Sequence, residues 1–107
     1  MPISDDVIAA AERRFEALRA SGYAIEAHYD CPANRVVVRL DTGEVVSFAP
    51  TDAEELAGAA PDDLAEIEIT PGGLGLIWPR LDAGLYVPAL RDGVLGSRRW
   101  MTEMAAR

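Results

Sequence analysis

The stretch RVVVRLDTGEVVSF, residues 35–48, decides the fold of this chain. Arg35 to Leu40 and Glu44 to Phe48 are rich in valine, a β-branched residue that favours strands. Between them lies the short sequence Asp-Thr-Gly at 41–43, which is typical of a tight turn between antiparallel strands. The stretch therefore predicts a β-hairpin, and the rest of the fold is read outward from it.

A third strand is predicted immediately upstream, from Tyr23 to Tyr29, where side chains alternate. One face is expected to carry Tyr23, Ile25, Ala27 and Tyr29, and the other Ala24, Glu26 and His28. The connecting residues 30–34 include Asp, Pro and Asn, which are turn formers. Three consecutive strands joined in this way predict an antiparallel meander.

An N-terminal helix is predicted from Asp5 to Ser21, with Ser4 as its N-cap. Gly22 is well placed to end it. The apolar residues recur at helical spacing and form one stripe: Ile8, Ala11, Phe15 and Leu18.

Downstream of the hairpin, Pro50 ends the third strand. Thr51 and Glu54 have capping-box spacing, which predicts a short helix to about Ala57. A second helical turn is predicted from Pro61.

A second hairpin is predicted from Glu66–Thr70 and Leu74–Trp78, around a Pro-Gly-Gly turn. Further pieces are predicted as a short extended segment at Leu85–Val87, a helical segment at Pro88–Leu95, and a final helix from Ser97 to about Ala105. The expected fold is α+β, with one antiparallel sheet of about five short strands (meander plus hairpin). An N-terminal helix, a short middle helix and C-terminal helices complete one domain, 1–107.

Composition limits the class of protein. The chain has 107 residues, half of them hydrophobic, which suits one domain with one core. No apolar run approaches the ~20 residues that a membrane span requires. The N-terminal residues do not resemble a secretory signal, and Cys31 is the single cysteine, so we expect a cytoplasmic protein without disulfides.

Charge argues against nucleic acid as the partner. The formal net charge is −8, and a field of that sign repels phosphate. The acids concentrate in one segment without a basic residue: Asp52, Glu54, Glu55, Asp62, Asp63, Glu66 and Glu68. This segment is either a solvated face or a docking surface for a basic partner.

No set of residues predicts catalysis, a metal site or a cofactor. His28 and Cys31 are three apart, but a structural zinc site needs about four ligands and the chain has no further His or Cys. Gly72, Gly73 and Gly75 lack the third glycine of a dinucleotide loop, because Trp78 takes that place. We therefore expect a protein that is not an enzyme.

Two aromatic positions are candidate protein contacts. Trp78 and Pro79 lie at the predicted end of a strand. Trp78 is expected either to fill the core, with Pro79 fixing the backbone that follows, or to bind in a groove of a partner protein. Trp100, Met101 and Met104 share one side of the final helix. They are expected to pack either on their own chain or on another.

The stretch PGGLGLIWPRLDAGLYVPAL, residues 71–90, resembles a known family, domain-of-unknown-function family 2442. The resemblance lies in a glycine-flanked strand ending in Trp78-Pro79, then Leu81-Asp82, an extended piece and a leucine helix. It covers about 23–95 and leaves out both terminal helices. It implies an α+β fold with an antiparallel sheet, and some members look like antitoxins. Asp82 and Tyr86, from this stretch, are added to the candidate contact residues.

The sequence departs from the family pattern at two positions. Ile77 stands where many relatives have a histidine, and Gly84 stands where many have an acid. Groups that relatives carry there cannot act in this chain.

Three functions remain open at this point. The first is a protein-binding module, antitoxin-like or an adaptor, with a partner that is basic and encoded nearby; a homodimer is also compatible. The second is a DNA-associated regulator that acts as a dimer through its C-terminal arginines. The third is a small-molecule-binding domain.

Overall fold

The computed structural model describes residues 5–106 and contains the predicted valine-rich hairpin. The helices of the described residues are α1 (Asp5–Ala20), α2 (Pro61–Ala65), α3 (Val87–Arg91) and α4 (Arg98–Ala105). The strands are β1 (Ala24–Asp30), β2 (Arg35–Leu40), β3 (Val45–Phe48), β4 (Glu68–Ile69), β5 (Gly75–Trp78) and β6 (Ala83–Tyr86). Short 3-10 turns lie at Pro50–Asp52 and Pro79–Leu81.

Sheet A is the predicted meander, with strand order β1-β2-β3. Both pairings are antiparallel, and Val38 lies opposite Ala27 on one side and Val46 on the other. The backbone N–H of Leu40 donates to the carbonyl of Glu44 at 2.9 Å and closes the hairpin. The Asp-Thr-Gly turn thus sets the register that buries Val36, Val38 and Leu40 on one face.

A register shift in β1 changes which of its side chains face inward. The pairing with β2 is irregular between Ala24 and Glu26, as in a β-bulge. The extra residue reverses the alternation, so Ala24 and Tyr29 both pack on the core side and Ile25 is 44% exposed. The prediction that Ile25 shares a face with Tyr29 is therefore wrong.

Sheet B has strand order β4-β5-β6, which corrects the prediction of one five-stranded sheet. The described strands form two three-stranded antiparallel sheets, and β6, which pairs with β5, is the third strand of sheet B. Asp82 adopts the left-handed conformation at φ 49°, which turns the chain back directly after β5 and starts β6 earlier than predicted. The backbone N–H of Ala24 donates to the carbonyl of Gly73 at 2.8 Å and ties the two sheets together.

Both sheets contribute to one buried cluster. Trp78 has 0% exposure, and its indole N–H donates to the carbonyl of Leu64 at 3.2 Å. The cluster contains Ala24, Val36, Val38, Leu40, Phe48, Ala53, Leu56, Leu64, Leu76, Trp78, Ala83, Val87 and Leu90. None of these residues belongs to α1 or α4, so the core is built by the sheets and the segments between them.

The segment after β3 differs from the predicted capping-box helix. Thr51 lies in the 3-10 turn, and no side chain caps it. The carboxylate of Glu54 instead accepts hydrogen bonds from the backbone N–H and the hydroxyl of Ser97, at 3.3 and 2.6 Å. The predicted helical turn from Pro61 is present as α2.

The terminal helices lie at the margin of the core. Ser97 caps α4 as predicted, since its hydroxyl accepts from the backbone N–H of Trp100 at 3.2 Å. Near the end of α1, the Arg19 guanidinium donates to the carbonyl of Gly72 at 3.0 Å. A Cβ at Gly72 would come within 2.6 Å of the Phe15 ring, so this ring packs on a glycine backbone. The predicted N-cap, Ser4, lies outside the described residues.

The free edge of β3 is covered at one point by an arginine. Because Leu40 and Glu44 form a hydrogen-bonded pair, alternation turns the carbonyl of Ser47 away from β2. The Arg35 guanidinium donates to that carbonyl at 2.9 Å and to the Ser47 hydroxyl at 3.2 Å. This outward carbonyl is therefore already hydrogen-bonded within the chain.

Candidate protein-interaction surface

The outer surface of sheet B carries exposed apolar side chains next to a glycine, which has no side chain. The register places Glu68, Ile77 and Gly84 in one row across the sheet. Tyr86, two residues after Gly84, lies on the same side. Ile77 is 40% exposed and Tyr86 is 48% exposed. We call Glu68, Ile77, Gly84 and Tyr86 the sheet B face.

The alternation of β5 explains this arrangement. Leu76 and Trp78 point into the core, with 1% and 0% exposure, so Ile77 must point outward. Burial leaves Trp78 no surface to offer a partner, and it serves here as a core residue. Pro79 and Asp82 are both exposed at the loop that follows, beside the sheet B face.

Part of the acidic segment is used inside the molecule. Besides the contact of Glu54 with Ser97, the carboxylate of Glu55 accepts from the backbone N–H of Gly84 at 3.0 Å. Asp63 pairs with Arg80 at 2.7 Å. These acids hold the loop after β3 and helix α2 against the rest of the chain.

The other acids of the segment are available to solvent or to a partner. They are exposed and form no side-chain hydrogen bond or ion pair within residues 5–106: Asp52, Asp62, Glu66 and Glu68. Glu68 belongs to the sheet B face and Glu66 lies two residues before it. The apolar part of this face thus has an acidic border.

Trp100 packs on its own chain. Its indole N–H lies 3.4 Å from the carbonyl of Asp52. A Cβ at Gly96 would meet the ring at 2.5 Å, so the ring covers this glycine. Met101 and Met104 are half-buried on the same helix. Of the three predicted contact residues on α4, Trp100 is thus the one whose ring packs against its own chain.

An apolar groove lies along α4 on the side of Met101. It encloses about 660 Å³ and is open to solvent. Its lining residues are Val94, Gly96, Arg98, Met101, Thr102 and Ala105. We call this feature the α4 groove.

The C-terminal arginines do not form a continuous basic surface. Arg80, Arg91 and Arg99 each pair with an acid of the same chain, at 2.7, 3.1 and 3.2 Å. Arg98, at the α4 groove, is exposed and makes no ion pair within the described residues. This distribution gives little support to a DNA contact.

The described residues offer few groups for acid–base or metal chemistry. His28 and Cys31 are exposed. Among residues 5–106, no three His, Cys, Asp or Glu residues lie together in a way that could hold a metal ion. In the same part of the chain no polar or charged side chain is buried. The pKa of Tyr29 is raised, first by desolvation of its phenol and then by electrostatic interaction with Cys31 and Asp30.

Tyr86 was expected as a contact residue, and Glu68 belongs to the acidic segment for which both a solvated face and a docking surface were open. Ile77 and Gly84 were recognised only as departures from a family pattern. The signal for Ile77 was the alternation along β5, since a buried Trp78 requires an exposed Ile77.

The architecture defines the class of protein: a small α+β domain in which two antiparallel sheets share a core. The chain belongs to a family of proteins of unknown function, DUF2442, whose model matches residues 24–96. The matched range begins with β1 and ends just before α4, so α1 and α4 lie outside it.

Two solved structures are similar to this chain. A protein of unknown function from Rhodospirillum rubrum is 40% identical, with a TM-score of 0.72 over 75% of this chain and 96% of that one. An uncharacterised protein from Chromobacterium violaceum, solved by solution NMR, is 31% identical, with a TM-score of 0.77 over 97% of this chain and 96% of that one. No curated protein matched. In the part of the chain that the structure describes, none of the helices is long and apolar enough to span a membrane.

Proposed function

We propose that this chain is a protein-binding module, an antitoxin-like protein or an adaptor, and that the sheet B face contacts its partner. Ile77 and Tyr86 are both exposed, and they lie beside Gly84, which has no side chain to cover them; this supports the proposal. Protein interfaces commonly combine an apolar centre with a polar rim, and Glu68 with Glu66 supplies such a rim here. Pro79 and Asp82 extend the surface at one end.

The partner that fits this face is basic around an apolar patch. Glu66 and Glu68 have no internal counter-charge among the described residues, and the whole chain carries a net charge of −8. Complementary charge would steer the encounter and raise the association rate at low salt. The partner's apolar side chains would then cover Ile77 and Tyr86.

We propose that the module works without catalysis, in the cytoplasm. The exposed positions of His28 and Cys31 support the first point, since a general base or nucleophile is usually sheltered beside an orienting group. The small-molecule alternative is supported by the α4 groove, whose volume falls within the ~300–1,000 Å³ of ligand pockets.

Co-expression with the product of the neighbouring gene tests the main proposal. The wild-type chain should co-purify with that protein, and Ile77→Asp and Tyr86→Ser should reduce co-purification. Val45→Asp is the matched control, because Val45 is 57% exposed on a strand of sheet A. Equal loss in the control and in the sheet B variants would contradict the role of this face.

A further inference from the structure

Helix α1 carries an apolar stripe that the other residues of 5–106 bury only in part. Ile8 is 44% exposed and Phe15 is 45% exposed, and Ala11 between them is also exposed. The spacing of three and four residues places them on one side of the helix. Because Phe15 and Arg19 attach the C-terminal end of α1 at Gly72, the stripe around Ile8 lies beyond the core.

The α4 groove is a second apolar surface, and no other part of residues 5–106 covers it. Val94 is 47% exposed at its edge, and α4 contributes no buried residue to the core. The groove lies along one side of an eight-residue helix. A groove of this kind suits the apolar side of another helix, which binds through residues at i, i+3 and i+7.

Charges beside the two surfaces are complementary. Glu12 lies one turn after Ile8 and borders the stripe. It is exposed and has no ion-pair partner within residues 5–106. Arg98 lines the α4 groove and likewise lacks an ion pair within the described chain. If α1 of a second copy binds in the α4 groove, Glu12 beside the stripe can pair with Arg98 beside the groove.

We propose that α1 of one copy binds in the α4 groove of a second copy, with Ile8 and Ala11 in the groove and Glu12 facing Arg98. The exchange is reciprocal, so one two-fold axis closes the dimer and each copy both gives a helix and receives one. With 16 residues, α1 is about 24 Å long. Ile8 lies seven residues, or about 10 Å along the axis, before Phe15, so the turn with Ile8 and Ala11 is clear of the attachment at Gly72. The contact is separate from the sheet B face and does not depend on the function proposed for it.

The oligomeric state of the full chain tests the proposal by sedimentation equilibrium. The wild-type protein should reach twice its 11.5 kDa mass at micromolar concentration. Ile8→Glu and Val94→Glu should each raise the dimer dissociation constant by at least about tenfold. Ala17→Glu, at an exposed position on the opposite side of α1, should leave it unchanged.

Charge reversal tests the pairing itself. Glu12→Arg and Arg98→Glu should each weaken the dimer, and the double variant should recover at least part of the affinity. Mixing Ile8→Glu protein with Val94→Glu protein should restore a heterodimer, because one intact helix meets one intact groove. This result separates helix-in-groove binding from contact between two α1 helices.

Several outcomes would overturn the proposal. One is a wild-type protein that stays monomeric at 1 mM; another is a dimer unchanged by both Ile8→Glu and Val94→Glu. Binding of an apolar dye that is lost in Val94→Glu, with an unchanged mass, would assign the groove to a small molecule instead. All five altered positions are exposed, and far-UV circular dichroism checks that each variant folds.

Discussion

Ile77 and Gly84 lie directly opposite each other across strands β5 and β6, on the outer side of sheet B. They are also the two positions at which the sequence departs from the pattern it resembles, a histidine at the first and an acid at the second. A histidine and an acid at these positions would be cross-strand neighbours. In this chain the two positions hold an isoleucine and a glycine, so this pair has no group that titrates.

Leu76 and Ile77 provide a matched test of the two sides of β5. Leu76→Ala should lower the free energy of unfolding by about 2 to 5 kcal/mol, because a buried side chain leaves a cavity. Ile77→Ser should change it by less than about 1 kcal/mol, since Ile77 is 40% exposed. Urea unfolding measures both. Equal losses would contradict the outward orientation of Ile77.

Trp78→Phe should destabilise the core by about 2 to 4 kcal/mol, because the Leu64 carbonyl loses its buried donor and a void remains. Trp100→Phe is the control and should cost about 1 kcal/mol or less, since the indole N–H of Trp100 is 3.4 Å from its acceptor. Thermal unfolding distinguishes the two variants. A larger effect at Trp100 would show that α4 contributes more to stability than its burial indicates.

Glu54 and Ser97 should behave as one unit. Glu54→Ala and Ser97→Ala should each lower the free energy of unfolding by about 1 kcal/mol, through loss of a charge-assisted hydrogen bond and of the α4 cap. The double variant should lose less than the sum, by about 0.5 kcal/mol or more. Glu66→Ala, which removes an acid without an ion-pair partner among residues 5–106, should stay within about 0.5 kcal/mol of wild type. Strict additivity would argue that the two side chains do not interact.

Gly73 should tolerate a methyl group far less than Gly43. Both have positive φ angles, 77° and 91°, so alanine is strained at either position. A Cβ at Gly73 would also meet the carbonyl of Ala24 at 2.8 Å, whereas space is open at Gly43. Gly43→Ala should lower the free energy of unfolding by about 1 kcal/mol and Gly73→Ala by about 3 kcal/mol. Similar losses for the two variants would mean that the backbone around Ala24 and Gly73 can move apart to accommodate a methyl group.

Tyr29 should make the stability sensitive to alkaline pH. Its pKa is raised above the ordinary value of 10.0, so the fold favours the neutral phenol. The resulting stability is fully present below the unfolded pKa and is lost as pH rises through the folded pKa. Urea unfolding from neutral to alkaline pH should therefore show a decline that is smaller in Tyr29→Phe. An identical decline in the variant would assign it to other groups.

Much of the fold could be predicted because local signals agreed with the tertiary structure. The valine-rich hairpin, the Pro-Gly-Gly turn and the Ser97 cap all depend on neighbouring residues. The third strand of sheet B follows Asp82, whose left-handed conformation turns the chain back, and neither strand sequence alone specifies the pairing of β6 with β5. The bulge near Ala24 is set by pairing with β2, and the alternation of β1 alone does not reveal it.

The candidate surfaces were harder to predict than the fold. An aromatic residue at a strand end predicts a core position and a binding anchor equally well, and only packing shows that Trp78 is buried. Glu54 looked like a local helix cap, yet its partner Ser97 is 43 residues away. The apolar stripe of α1 was correctly located, but its exposure depends on where the neighbouring helix and sheets lie.

The guanidinium of Arg35 on the Ser47 carbonyl has a consequence for solubility. A valine-rich strand at an unpaired sheet edge readily pairs with the same strand of another molecule and can start fibril growth. Here one acceptor that such growth would use is occupied by a bulky cation, which an incoming chain must first displace. Copies of this molecule are thereby steered away from strand-by-strand stacking.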